Sequence, residues 1–106
     1  MWKVTLISDA KQDLYKIDNS MKKQVMTGIR KVSQKPLPKS EGGYGNPLGK
    51  ANGLNLTGYF KIKYKRLGIR VVYTLNRQEK EMIIIVISAR ADNQCYDEEN
   101  KRKGKF

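Results

Sequence analysis

Apolar residues along this chain follow two rhythms. Trp2, Val4 and Leu6 alternate with Lys3 and Thr5, which predicts a strand over residues 2–7. The polar pair Ser8-Asp9 that follows suits a helix cap. From Leu14 the period changes. Leu14, Ile17, Met21, Val25, Ile29 and Val32 recur at steps of three or four, which draws one continuous stripe along a helix. Asp18-Asn19-Ser20 interrupts that stripe, because such side chains compete for backbone hydrogen bonds and favour turns and N-caps. The expectation is two helices presenting one apolar face. Lys11, Lys16, Lys22, Lys23, Arg30 and Lys31 mostly occupy the other side, as a solvated face does.

Pro36 and Pro38 end the second helix. Residues 35–56 then hold five glycines and Pro47 with little that can be buried, so they read as a long loop. Its glycines match neither a phosphate-binding loop nor a dinucleotide fingerprint, since no Gly-Lys-Ser/Thr follows and no strand leads in. Three strands are predicted after it, over residues 58–65, 69–75 and 81–88, the last with the run Met82-Ile83-Ile84-Ile85-Val86-Ile87. Short connections make these an antiparallel meander. The isoleucine run should be the central buried strand, covered on one face by the helices. Residues 93–103 place acids before bases, the order a short helix prefers, and 101–106 form a basic tail. The predicted architecture is a single α+β domain over 1–106: a small antiparallel four-stranded sheet with two N-terminal helices packed on one face, in the order β-α-α-β-β-β, and a short C-terminal helix.

Composition narrows the function. The 106 residues include 22 Lys and Arg against 10 Asp and Glu and no His, a net charge of +12. Without His there is no Ser-His-Asp or Cys-His catalysis and no imidazole metal site. The lone Cys95 can form neither an intramolecular disulfide nor a thiolate metal cluster, so a cytoplasmic location fits best. No stretch approaches the roughly 20 apolar residues that span a bilayer, and no membrane partner is expected. So large a surplus of cations on a small body attracts polyanions, with nucleic acid foremost.

The cations have a pattern. In Tyr59-Phe60-Lys61-Ile62-Lys63-Tyr64-Lys65 the strand period puts Lys61, Lys63 and Lys65 on one face and Phe60, Ile62 and Tyr64 on the other. Ammonium groups at intervals of about 7 Å repel one another unless an anion lies among them. The alternative is a sheet edge that lysines protect from aggregation. Arg70 on the next strand and Arg90 just after the last add guanidinium groups, which clamp phosphate with paired donors. Tyr96 offers a ring for base stacking or, equally, for core packing. Whether Lys63 and Arg70 share a face turns on the hairpin between them. A two-residue loop at Arg66-Leu67 aligns them, whereas a bulge at Gly68 reverses the parity.

The order of elements, together with Leu56-Thr57-Gly58-Tyr59-Phe60-Lys61-Ile62-Lys63, Gly68-Ile69-Arg70-Val71-Val72-Tyr73, Arg90 and Tyr96, resembles the RelE toxins of the RelE/ParE superfamily. The resemblance runs along nearly the whole chain. It implies the toxin of a type II toxin–antitoxin system, a ribosome-dependent endoribonuclease that cleaves mRNA in the A site by metal-independent 2′-hydroxyl attack and so inhibits translation. By the same resemblance Lys61 is the general base, Arg90 the leaving-group stabiliser or acid, Lys63 and Arg70 the phosphate clamps and Tyr96 the stacking platform. Lys65 and Arg66 become further RNA contacts. The implied partners are mRNA and ribosomal RNA, a cognate acidic antitoxin, and operator DNA only through the toxin–antitoxin complex; no cofactor and no metal are implied. The alternatives are a ParE-like gyrase inhibitor of the same fold and a basic nucleic-acid-binding module without catalysis.

Overall fold

The computed structural model describes residues 1–51 and 54–88. Strand β1 (Lys3–Leu6) leads into helix α1 (Ser8–Tyr15) and helix α2 (Asn19–Ser33). Four further strands follow: β2 (Asn46–Ala51), β3 (Leu54–Tyr64), β4 (Ile69–Asn76) and β5 (Glu81–Ser88). The break at Asp18-Asn19-Ser20 divides the apolar stripe as expected. The caps differ in detail, since the residues at the two N-cap positions are Ile7 and Asp18, neither with a side-chain capping bond. Ser8 and Asp9 lie within the first turn of α1, where the carboxylate faces the positive end of the helix dipole.

The α+β class and the helices on one face hold, with a fifth strand and one parallel pairing added. The sheet runs in the order β1-β5-β4-β3-β2. β3, β4 and β5 form the expected antiparallel meander, while β1 lies parallel to β5 with Val4 opposite Met82 and Leu6 opposite Ile84. The isoleucine strand β5 is interior, and β4 rather than β5 occupies the middle. Strand β2 falls inside the segment read as a loop over 35–56, which also contains a single 3₁₀ turn at Lys39–Glu41. Pro47 and Gly49 hide β2 from a propensity reading. Both are tolerated because β2 is an edge strand, and its pairing with β3 shifts register between Pro47 and Gly49. Gly49 has φ +59°, a conformation that an L side chain adopts only with strain.

The core lies between the helices and one sheet face. Ala10 of α1 and Val25, Ile29 and Val32 of α2 pack on Phe60, Ile69, Val71, Tyr73, Met82, Ile84 and Ile87. Full burial of such a side chain stabilises by about 1.5–3 kcal/mol. Phe60 and Tyr73 are cross-strand partners whose rings stack with centroids 5.1 Å apart. The Tyr73 hydroxyl donates to the Pro36 carbonyl at 3.0 Å, fastening the segment after α2 to the sheet. The Tyr64 hydroxyl donates to the Val25 carbonyl at 2.7 Å and joins β3 to α2. Gly28 makes that approach possible, because a Cβ there would lie 2.6 Å from Tyr64 Cε2.

A bulge explains how β5 can be apolar almost throughout. Val72 pairs with Val86 but Tyr73 pairs with Ile84, so Ile85 is an extra residue on β5. Met82, Ile84 and Ile87 join the helix-side core, whereas Ile85 and Val86 join Val72 in a second cluster with Ile7, Leu48, Tyr59 and Ile83. Past the end of β1, the Ile87 N–H donates to the Asp13 carboxylate at 3.1 Å, so α1 supplies an acceptor where strand pairing stops.

Candidate nucleic-acid interface

The alternation of β3 turns Phe60, Ile62 and Tyr64 toward the helices and leaves Lys61 and Lys63 on the opposite face. β4 does the same with Ile69, Val71 and Tyr73, which leaves Arg70 and Val72 on the helix-free face. The turn between them holds four residues, Lys65 to Gly68, with Tyr64 opposite Ile69. An even number preserves parity. Lys63 and Arg70 are therefore direct cross-strand partners, and Lys61 lies opposite Val72. Directly opposed residues have Cβ atoms about 5 Å apart, and diagonal neighbours such as Lys61 and Arg70 about 7–8 Å. On its other side Arg70 pairs with Ser88, so one cross-strand row reads Lys63, Arg70, Ser88.

Like charges directly opposed on a sheet destabilise it. At about 5 Å two unit charges repel by close to 1 kcal/mol even in bulk water. Among the described residues no carboxylate forms an ion pair with Lys61 or Lys63; Glu41 pairs instead with Arg77, just past the far end of β4. Lys63, Lys65 and Arg66 are exposed, while Lys61 and Arg70 are half-buried among their neighbours. Fixed cations on a rigid sheet, held near apolar Val72 and Val86, suit an anionic strand laid across β3 and β4.

Of the residues singled out from sequence, Lys61, Lys63 and Arg70 come together on this face, and Lys65 and Arg66 stand beside it in the turn. Arg90 and Tyr96, and the helix expected over 93–103, lie outside the described residues. Two participants were not legible in sequence. Ser88 enters the row only through the Ile85 bulge, and Lys23, read as part of a solvated helix face, lies beside the turn and shares a groove with Lys63, Lys65 and Arg66. Among the described residues no three carboxylate or thiol side chains gather to hold a metal ion, and no helix is long and apolar enough to cross a membrane.

No protein-family profile and no curated protein matches the sequence. Solved structures do. The isolated RelE toxin of E. coli superposes with a TM-score of 0.69 at 19% identity, covering 96% of this chain and 98% of that one. A double mutant of the same toxin in the free state gives a TM-score of 0.76 at 19% identity, covering 96% and 97%. The chain has the RelE toxin fold. The RelBE2 toxin–antitoxin complex of Mycobacterium tuberculosis gives 0.66 at 23% identity, over 86% of this chain and 93% of that one. Identities this low establish the fold alone. Within the RelE fold of this chain, chemistry is read from the cationic row itself.

Proposed function

We propose that this chain is the toxin of a toxin–antitoxin pair and acts as an endoribonuclease on mRNA in the ribosomal A site. One observation carries the reading: Lys61, Lys63 and Arg70 share the helix-free face, with Lys63 and Arg70 paired across the strands. Attack of a ribose 2′-hydroxyl on the adjacent phosphorus needs in-line positioning, neutralisation of charge on the phosphate and two proton transfers. In this reading Lys61 takes the 2′-hydroxyl proton while Lys63 and Arg70 hold the non-bridging oxygens. Arg90 stabilises or protonates the departing 5′-oxygen, and Tyr96 stacks on a base. Lys65 and Arg66 hold neighbouring phosphates. The bond from 2′-oxygen to phosphorus forms as the bond to the 5′-oxygen breaks, giving a 2′,3′-cyclic phosphate and a 5′-hydroxyl. Fixed cations supply the neutralisation, so the reading assigns neither metal nor cofactor.

The same reading gives the chain an acidic antitoxin. A net charge of +12 favours such a partner, and the E. coli toxin mutant has also been solved with an antitoxin RelB peptide, at 18% identity to this chain. Operator DNA would be met through the complex, and the compartment is the cytoplasm, where the ribosomes are. Inducing the protein in growing cells and mapping message ends tests the proposal. Growth arrest with translation-dependent cuts is expected, and intact messages would overturn it. Arg90→Ala should lose most of the activity while remaining folded, since its role lies in the transition state. A supercoiling assay should show no effect on gyrase; inhibition there would assign the ParE-like alternative instead.

A further inference from the structure

The cationic row continues around the end of the sheet. A groove of about 620 Å³ lies between α2 and the β3–β4 turn, lined by Lys23, Thr27, Lys63, Lys65 and Arg66 among others, with no acidic residue among them. Its apolar lining comes from Tyr64 and Leu67. The Tyr64 hydroxyl is already committed to the Val25 carbonyl, so the tyrosine offers the groove a fixed ring rather than a free donor. The Thr27 hydroxyl donates to the Lys23 carbonyl at 2.8 Å, which leaves its oxygen lone pairs available as acceptors.

We propose that this groove is a second nucleotide subsite, taking the base and phosphate next along the single-stranded RNA held over Lys61, Lys63 and Arg70. The inference rests on the function proposed above for that row. Two features favour RNA over an acidic peptide. Lys63 belongs both to the cross-strand row and to the groove, so one strand can pass from the first to the second without leaving the cations. Apolar walls with cations around them also match the make-up of a nucleotide, whose base has an apolar face and whose phosphate is charged. Lys side chains serve both needs, with methylene stems along the apolar surface and ammonium groups in water. Lys23 is then a substrate-positioning residue contributed by a helix, distant in sequence from every other cation of the site.

The experiment measures fluorescence anisotropy of the full chain with labelled 2′-O-methyl oligonucleotides of two and six nucleotides, which resist in-line cleavage. The hexamer should bind more tightly than the dimer. Lys23→Gln should weaken hexamer binding about threefold to tenfold and reduce its salt slope by about 0.7, the value for one phosphate contact on a single strand. Dimer binding should be unchanged, and Lys11→Gln, on α1 outside the groove, should alter neither. Equal hexamer affinity and slope in wild type and Lys23→Gln would overturn the subsite, as would failure of the hexamer to bind. A glutamate hexapeptide that displaces the RNA hexamer and itself depends on Lys23 would assign the groove to an acidic peptide and also overturn it. Loss of the subsite with message cuts retained leaves the proposed function standing. Lys23-dependent binding without any cuts in cells removes that function and leaves an RNA-binding groove.

Discussion

Strands β3 and β4 carry two surfaces that differ in kind although they share a backbone. Toward the helices, Phe60 and Tyr73 stack and Tyr64 reaches α2, all with polar atoms matched. On the other side, displaced by one residue at each step, Lys61, Lys63 and Arg70 crowd like charges. The first surface is organised for stability; the second gathers positive charge of the kind that draws an anion. The comparison teaches that period two lets one short strand be scaffold and site at once. Adjacent substitutions should therefore report on different properties.

The strongest test of that division is a pair of neighbours. Phe60→Ala should cost about 3–5 kcal/mol of unfolding free energy by chemical denaturation, whereas Lys61→Ala should alter it by no more than about 0.5 kcal/mol. Lys61→Ala should instead reduce message cleavage by about 10²–10³-fold. Comparable unfolding by both variants would break the division. Gly28→Ala comes next. Alanine gains up to about 1 kcal/mol of helix propensity, but the Tyr64 ring pinned against Gly28 makes overpacking win, with a net loss of about 1–3 kcal/mol.

Smaller effects sharpen the helix-side account. Tyr73→Phe removes the hydroxyl that holds Pro36 and should cost about 1 kcal/mol. Burial pushes the phenols of Tyr64 and Tyr73 well above the ordinary tyrosine range. The native state keeps these protons to higher pH than the unfolded chain, which ionises near pH 10. Their contribution is thus full below about pH 10 and is lost as pH rises beyond it, and Tyr73→Phe should flatten that decline in denaturation measured from pH 8 to 11. Least affected should be Glu41→Gln. The hydrogen-bonding fork of Arg77 holds the Glu41 carboxyl below its usual range, but both groups are in open solvent, so thermal denaturation should hardly change.

Where period and chemistry agree, the sequence was informative. The stripe from Leu14 to Val32, its interruption at Asp18, and the alternation around Lys61 each correspond to an element or face of the structure. Strand β2 was not legible, because Pro47 and Gly49 are penalised everywhere except on an edge, and edge position is a property of the finished sheet. The parallel seat of β1 beside β5 likewise depends on partners about 80 residues apart. The pairing of Lys63 with Arg70 was undecided because turn length, and not the composition of either strand, sets it. Lys23 escaped notice because helix and sheet approach there only in three dimensions.

The four-residue turn makes the cationic face a matter of register. A slip of β4 by one residue against β3 would leave composition and charge intact, yet it would oppose Lys63 to a residue of the other face and break the match of Val71 and Tyr73 with Ile62 and Phe60. The turn thereby guards the register, and Gly68, at φ +64°, is the position within it that a side chain could replace only with strain.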